Sequence, residues 1–237
     1  MTLKDLQREG VCFDILNALA DEDMVLIGGY AVSAYGRPRF SVDLDLVIAS
    51  PSLGRIRNLL KEKGFTKVKG WDGGGVFAGM SERWKLPGPE LPTSVDLLVD
   101  GLHDRGTGAS FSFRELKVQA SRRDLFGLSG SSRATALVAD PEVLVALKLV
   151  AGRKTDLRDI AALAVLDLRV EIVAGFLKGV PKEVVRQRVV DFRSALRTVE
   201  FQNSLQGVFM MDKSRYPQIA ERAKNLCLRL EDLLSAG

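Results

Sequence analysis

The hydrophobic period of this chain changes once, at Asp140-Pro141-Glu142. Before that point apolar residues come in short runs or strict alternation, as in Met24-Val25-Leu26-Ile27, halted by Gly28-Gly29, and Val42-Asp43-Leu44-Asp45-Leu46-Val47-Ile48. Such patterns belong to strands. After it Val143, Leu144, Leu147 and Val150 recur at the 3.6-residue spacing of a helix face. The two periods predict a mixed α/β sheet domain over residues 1–139 and a mainly helical C-terminal domain over 140–237. Asp140, followed by a proline at the first helical position, is the expected N-cap of the first C-terminal helix.

Within the first half, apolar spacing predicts a helix over 3–20, the strand 24–27, a brief helix from Tyr30 to Tyr35 closed by Gly36, and a strand over 42–48. A helix over 51–63 follows, then short strands at 65–69, 76–79, 83–86 and 94–99. Trp71 to Gly75 reads as a hairpin turn, and Gly101 to Gly106 as a loop that carries the only histidine, His103. Helices are expected near 156–167, 169–178, 182–200 and 216–234.

Composition narrows the chemistry. One histidine and two cysteines among 237 residues supply neither a His-x-x-x-His zinc site nor a two-histidine iron site. Carboxylates, lysines, arginines and backbone must do the work. The 34 basic and 30 acidic residues leave a net charge of +4, spread evenly over both halves, so bulk coating of nucleic acid is not expected. Cys12 and Cys227 lie among apolar neighbours and read as buried thiols of a reducing, cytoplasmic protein. The first residues lack a basic, then apolar leader, and no run approaches the roughly 20 apolar residues of a membrane span.

Asp43-Leu44-Asp45 is the most informative segment. Residues i and i+2 of a strand share a face, so two carboxylates project together, which favours either a cation between them or a solvated edge. Val95-Asp96-Leu97-Leu98-Val99-Asp100 supplies a second acidic strand, from which Asp96 could join the pair. Three oxygen ligands suit a hard ion, Mg²⁺ or Mn²⁺. Gly28-Gly29 opens a helix after a strand, a place where backbone can approach phosphate, although a plain tight turn explains the glycines as well. Neither a G-x-G-x-x-G fingerprint nor a P-loop is present.

Leu26-Ile27-Gly28-Gly29, thirteen residues, then Asp43-Leu44-Asp45-Leu46, with Asp96 on a later strand, resembles the motif of the polymerase-β-like nucleotidyltransferase superfamily. Arg37-Pro38-Arg39-Phe40-Ser41 is similar to that superfamily's approach to the acidic pair, with Ser41 where threonine is commoner. In the helical half, Leu147-Lys148-Leu149 and Arg153-Lys154-Thr155-Asp156 resemble a helical motif of abortive-infection (AbiEii-like) type IV toxins and stand-alone nucleotidyltransferases, although Lys154 directly follows Arg153 and Thr155 separates it from Asp156. The resemblance implies a metal-dependent transfer of a nucleoside monophosphate from an NTP to an acceptor hydroxyl on RNA, protein or a small molecule, with release of pyrophosphate. It also implies the roles. Asp43, Asp45 and Asp96 would be the catalytic metal ligands, Gly28, Gly29, Arg39, Ser41 and Lys148 would bind nucleotide, Mg²⁺ or Mn²⁺ would be the cofactor, and an antitoxin would be a partner.

Plainer readings stand beside these. Lys148 taken alone is a snorkelling lysine on an amphipathic helix, and Asp156 and Asp159 read as a solvated helix start around Arg158. Arg122, Arg123, Arg186, Arg188, Arg193 and Arg197 read as a charged outer face rather than an RNA path. The rival function is a catalytically silent nucleotide-binding module of a toxin–antitoxin-type system.

Overall fold

The computed structural model describes residues 3–36, 39, 41, 43–68, 77–78, 80–87, 93–128 and 130–236. The chain divides into two compact units, Met1–Arg105 with Ser110–Ala139, and Gly106–Ala109 with Asp140–Gly237.

The first unit begins with α1 (Leu3–Ala18) and β1 (Met24–Ile27), then α2 (Gly28–Ser33), β2 (Asp43–Ile48), a 3₁₀ turn (Ser50–Ser52) and α3 (Leu53–Glu62). Strands β3 (Thr66–Lys67), β4 (Phe77–Ala78), β5 (Ser81–Leu86), β6 (Thr93–Val99), β7 (Gly101–Asp104) and β8 (Ser110–Ser112) follow, then α4 (Phe113–Val118), β9 (Ala120–Phe126) and β10 (Arg133–Ala139). Seven of these strands form one mixed sheet in the order β3-β5-β6-β2-β1-β10-β9, parallel at β6/β2 and β1/β10 and antiparallel elsewhere. Strands β4, β7 and β8 make a smaller antiparallel sheet.

The central strands explain themselves by burial. All four residues of β1 and all seven of β6 are buried, as expected where a sheet is covered on both faces. In β2 the pattern alternates at its start: Leu44 and Leu46 are fully buried while Asp43 and Asp45 remain partly exposed. The acids therefore share one face of the sheet. Glu82 of β5 faces the other way. Its buried carboxylate accepts from Arg57 of α3, from Lys67 of β3 at 2.5 Å and from the Trp84 indole at 3.0 Å. Burial would raise its pKa, but those donors prevail and hold it down at about 2.

The second unit consists of α5 (Pro141–Ala151), α6 (Lys154–Leu163), α7 (Val170–Phe176), α8 (Lys182–Ala195), α9 (Val199–Phe209), a 3₁₀ turn (Lys213–Arg215) and α10 (Tyr216–Ala236). Helix α5 is buried from Glu142 to Val150 and packs against α6, α7 and α8, while α10 packs against α6, α7 and α8 from its own side. Buried all round from Glu142 to Val150, α5 is the central rod of this unit. It starts at Pro141 with Asp140 as N-cap residue, without a capping bond from the Asp140 side chain, and ends at Gly152 in the left-handed conformation (φ 61°).

Several expectations are corrected. The segment read as a loop around His103 is strand β7, because its backbone pairs with both β4 and β8, and the His103 ring lies 2.7 Å from the Ser110 hydroxyl. Helix α2 starts at Gly28 rather than Tyr30. The predicted helix 182–200 stops at Ala195, since Thr198 caps a new helix by accepting from Phe201 N at 3.2 Å. The turn read at Trp71–Gly75 lies outside the described residues. Both cysteines are buried, and burial pushes each thiol up to about 12.

Candidate active site

The turn from β1 into α2 is built around two glycines that lie close against neighbouring side chains. Gly28 has φ +72°, and a Cβ there would stand 1.9 Å from Oδ2 of Asp45. At Gly29 a Cβ would stand 2.6 Å from the Ser41 hydroxyl and 2.7 Å from an Arg39 guanidinium nitrogen. The space that these glycines leave is filled by the side chains the sequence singled out.

Short polar bonds fix the approach to β2. Tyr30, buried in α2, donates its hydroxyl to the Ser41 carbonyl at 2.8 Å, and burial raises its pKa. The Ser33 hydroxyl accepts from Arg39 N at 3.3 Å, and it lies 3.2 Å from the Gly29 carbonyl. Ser41 Oγ lies 3.3 Å from the Asp43 carbonyl. Helix α2 thus ties the residues before β2 to the glycine turn, and a half-turn shift would separate Ser41 and Arg39 from Gly29.

The sheet register does the rest. On the parallel pair β2/β6, Asp45 stands opposite Asp96 and Asp43 opposite Ser94. On β5, Arg83 stands opposite Asp96 and Lys85 opposite Ser94. Residues directly opposite share a face, and neighbouring strands run about 4.8 Å apart. One sheet face therefore carries the row Arg83, Asp96, Asp45 and beside it the row Lys85, Ser94, Asp43. The Ser94 hydroxyl donates to Asp43 Oδ1.

Asp96 is nearly buried and fully engaged. Arg83 donates from Nε to Oδ1 at 2.7 Å and from Nη2 to Oδ2 at 2.5 Å, a bidentate charge-assisted pair. Burial nevertheless leaves the Asp96 carboxyl above its usual range; Asp43 also pushes it up, while Arg83 and Lys85 pull it down. The bond to Asp96 holds Arg83 more firmly protonated against the opposing effect of burial, with smaller help from Asp43 and Asp45. Among the described residues no three His, Cys, Asp or Glu side chains converge closely enough to hold a metal ion. Oxygen-only donors at Asp43 and Asp45 suit a hard divalent cation, but Asp96 as placed here does not, because Arg83 holds it.

Sequence reasoning missed Arg83 and Lys85. Their signal was present: two basic residues at i and i+2 of a predicted strand, on the side away from Glu82 and Trp84.

Lys148, by contrast, belongs to the helical unit. It is 8% exposed, and its ammonium lies 3.0 Å from Asp156 Oδ1 and 2.7 Å from Asp159 Oδ2. Asp156 also accepts from Arg153 N at 3.1 Å and from Arg153 Nε at 2.8 Å. The reading of Asp156 and Asp159 as a solvated helix start is thereby corrected. Both are buried, at 1% and 2% exposure, because α5 delivers a cation to them from the next helix. Burial alone would raise the Asp156 pKa; the charge of Lys148 and the bonds from Arg153 outweigh it and set the carboxyl below its usual range.

The arginines read as an outer face are largely spent on local partners: Arg186 on Glu183, Arg193 on Glu231, Arg123 on the Tyr35 ring and Arg122 on the Ala20 carbonyl. A surface cavity of about 440 Å³ lies in the helical unit between Leu166, Leu168, Val170, Asn225 and Arg229, and none of the predicted site residues lines it. Among the described residues no helix is long and apolar enough to cross a membrane.

Comparison with known proteins agrees with the geometry. A solved structure reported as "putative nucleotidyltransferase from H. pylori" is similar over 98% of this chain and 99% of its own, with a TM-score of 0.52 and 19% identity, which places the two in one fold. No curated protein sequence matches the chain. The family model for the nucleotidyl transferase AbiEii toxin of type IV toxin–antitoxin systems matches residues 13–222. The chain thus belongs to the nucleotidyl transferase AbiEii toxin family.

Proposed function

We propose that this nucleotidyltransferase moves a nucleoside monophosphate from an NTP to an acceptor hydroxyl, releases pyrophosphate, and needs a divalent cation at the β2 acids. The observation that carries this reading is the register of Asp45 opposite Asp96, with Gly28 backbone packed on the Asp45 carboxylate. Mg²⁺ or Mn²⁺ held by Asp43 and Asp45 would supply Lewis-acid stabilisation of the charge that develops on the phosphoryl oxygens.

The protein's own groups have distinct tasks. Asp43 and Asp45 hold negative charge on a partly exposed sheet face, open to a cationic ligand. Arg39 and Ser41, packed on Gly29, present a guanidinium and a hydroxyl beside those acids, a donor set that suits phosphate oxygens. Asp96, whose carboxyl burial pushes above its usual range, is suited to accept the proton of an attacking hydroxyl once its own pair with Arg83 opens. Positioning and electrostatics are the main contributions that phosphoryl-type transfer asks of a protein.

Family membership supports an antitoxin partner and a toxin-like role. RNA, protein and small-molecule acceptors are separated by experiment: each labelled NTP is incubated with protein, Mg²⁺ or Mn²⁺, and RNA, protein or metabolite fractions in turn. Label transfer with pyrophosphate release that disappears in Asp43→Asn and Asp45→Asn is the expected result. Mg-NTP binding without transfer in any fraction would overturn the proposal.

A further inference from the structure

Asp96 differs from the other acids of its row. Both of its oxygens are bonded to Arg83, and the partner stands directly across the strand, so the pair is built into the β5/β6 register rather than made by a long side chain wandering in. Asp96 is 6% exposed. A dication and a guanidinium on one buried carboxylate repel each other, and the low local dielectric leaves that repulsion poorly screened. Asp43 and Asp45 are close enough to act on the charge of Arg83 as well.

We infer that Arg83 is a built-in counter-ion that competes with the divalent cation for Asp96, so that the three-carboxylate site assembles only when the Arg83–Asp96 pair opens. The inference rests on the metal-dependent reading above. Arg83 is then a positioning residue: it sets the cation concentration at which Asp96 joins Asp43 and Asp45. Lys85, two residues along the same face of β5, stands opposite Ser94 and adds positive charge at that border of the site.

The test is Mn²⁺ binding by the nucleotide-free full chain, followed by electron paramagnetic resonance of the free ion. Losing a charge-assisted bidentate competitor, Arg83→Gln should bind Mn²⁺ about ten-fold more tightly than wild type, or better. The gain should vanish when Asp96→Asn is added. A folded Arg83→Gln protein with wild-type or weaker affinity overturns the inference, since a purely structural pair predicts lost stability without tighter binding. So does a gain that survives Asp96→Asn. Should Arg83→Gln fail to fold, Arg83→Lys decides: a lysine keeps the charge without the bidentate fork, so a smaller gain is expected, and unchanged affinity overturns the inference. If wild type and both variants bind no Mn²⁺, the metal-dependent reading falls as well, whereas equal binding overturns the Arg83 inference alone.

Discussion

Two acid clusters, one in each unit, hold their charges in different ways. On the sheet, three carboxylates, Asp43, Asp45 and Asp96, face one bidentate arginine, with Lys85 at the border. In the helical unit two carboxylates, Asp156 and Asp159, meet Lys148, and Arg153 adds a second cation at Asp156. Burial raises both carboxyls: it prevails at Asp96, which goes up, whereas Lys148 and Arg153 outweigh it at Asp156, which goes down. The helical cluster is enclosed within its own unit, whereas Asp43 and Asp45 stay partly exposed on the sheet face.

The sharpest way to break this comparison is Lys148→Met. It removes the cation shared by two buried carboxylates, and removing one partner of a buried ion pair costs about 3–5 kcal/mol. Urea unfolding should show that loss, and Asp156→Asn in the same chain should recover part of it. A loss below about 1 kcal/mol, the range of exposed pairs, would mean that the cluster is not balanced by Lys148.

Asp45→Asn probes the other side. Label transfer should fall by about 10²–10³-fold, the scale of losing one electrostatic stabiliser, while stability stays within about 0.5 kcal/mol because the substitution relieves like-charge repulsion. A large stability loss with little change in transfer would reverse the assignment of the two clusters. Gly28→Ala should follow. It places a methyl against the Asp45 carboxylate at a positive-φ position, which costs about 1–3 kcal/mol and displaces Asp45, so both melting temperature and transfer should drop together.

The smallest expected effect is on pH dependence. Asp156 has a folded pKa below its ordinary 3.8, so its contribution is fully present above that value and is lost as pH falls through the folded pKa. Glu82 behaves likewise, its contribution declining from pH 4.5 toward about 2. Acid titration of stability should thus show a decline below pH 4.5 whose lower part shrinks in Lys148→Met. An unchanged acid limb would remove Lys148 as the cause of the Asp156 shift.

Much of the sheet was legible in advance. Strand β1, the glycine turn and the Asp43/Asp45 face follow from local alternation and from a run of four apolar residues ended by Gly28. Strands β7, β8, β9 and β10 were not; Gly101 to Gly106, for one, is polar and becomes strand β7 only through pairing with distant backbone. Arg83 was passed over for a similar reason: its place at i and i+2 with Lys85 in a short strand gains meaning only when the register sets it against Asp96. The burial of Asp156 and Asp159 was misread because sequence spacing ranks acids near a helix start as solvated, and the compensating Lys148 comes from another helix.

By itself the sequence determined which side chains share a face and where the backbone must turn, since alternation in a strand and the positive φ of Gly28 are local properties of the chain. Only the tertiary structure decided which carboxylate meets which cation. Strand register and helix docking bring together residues 13 positions apart, as in Arg83 and Asp96, or 8 apart, as in Lys148 and Asp156, and the free energy of a buried charge depends on that pairing rather than on its neighbours in sequence.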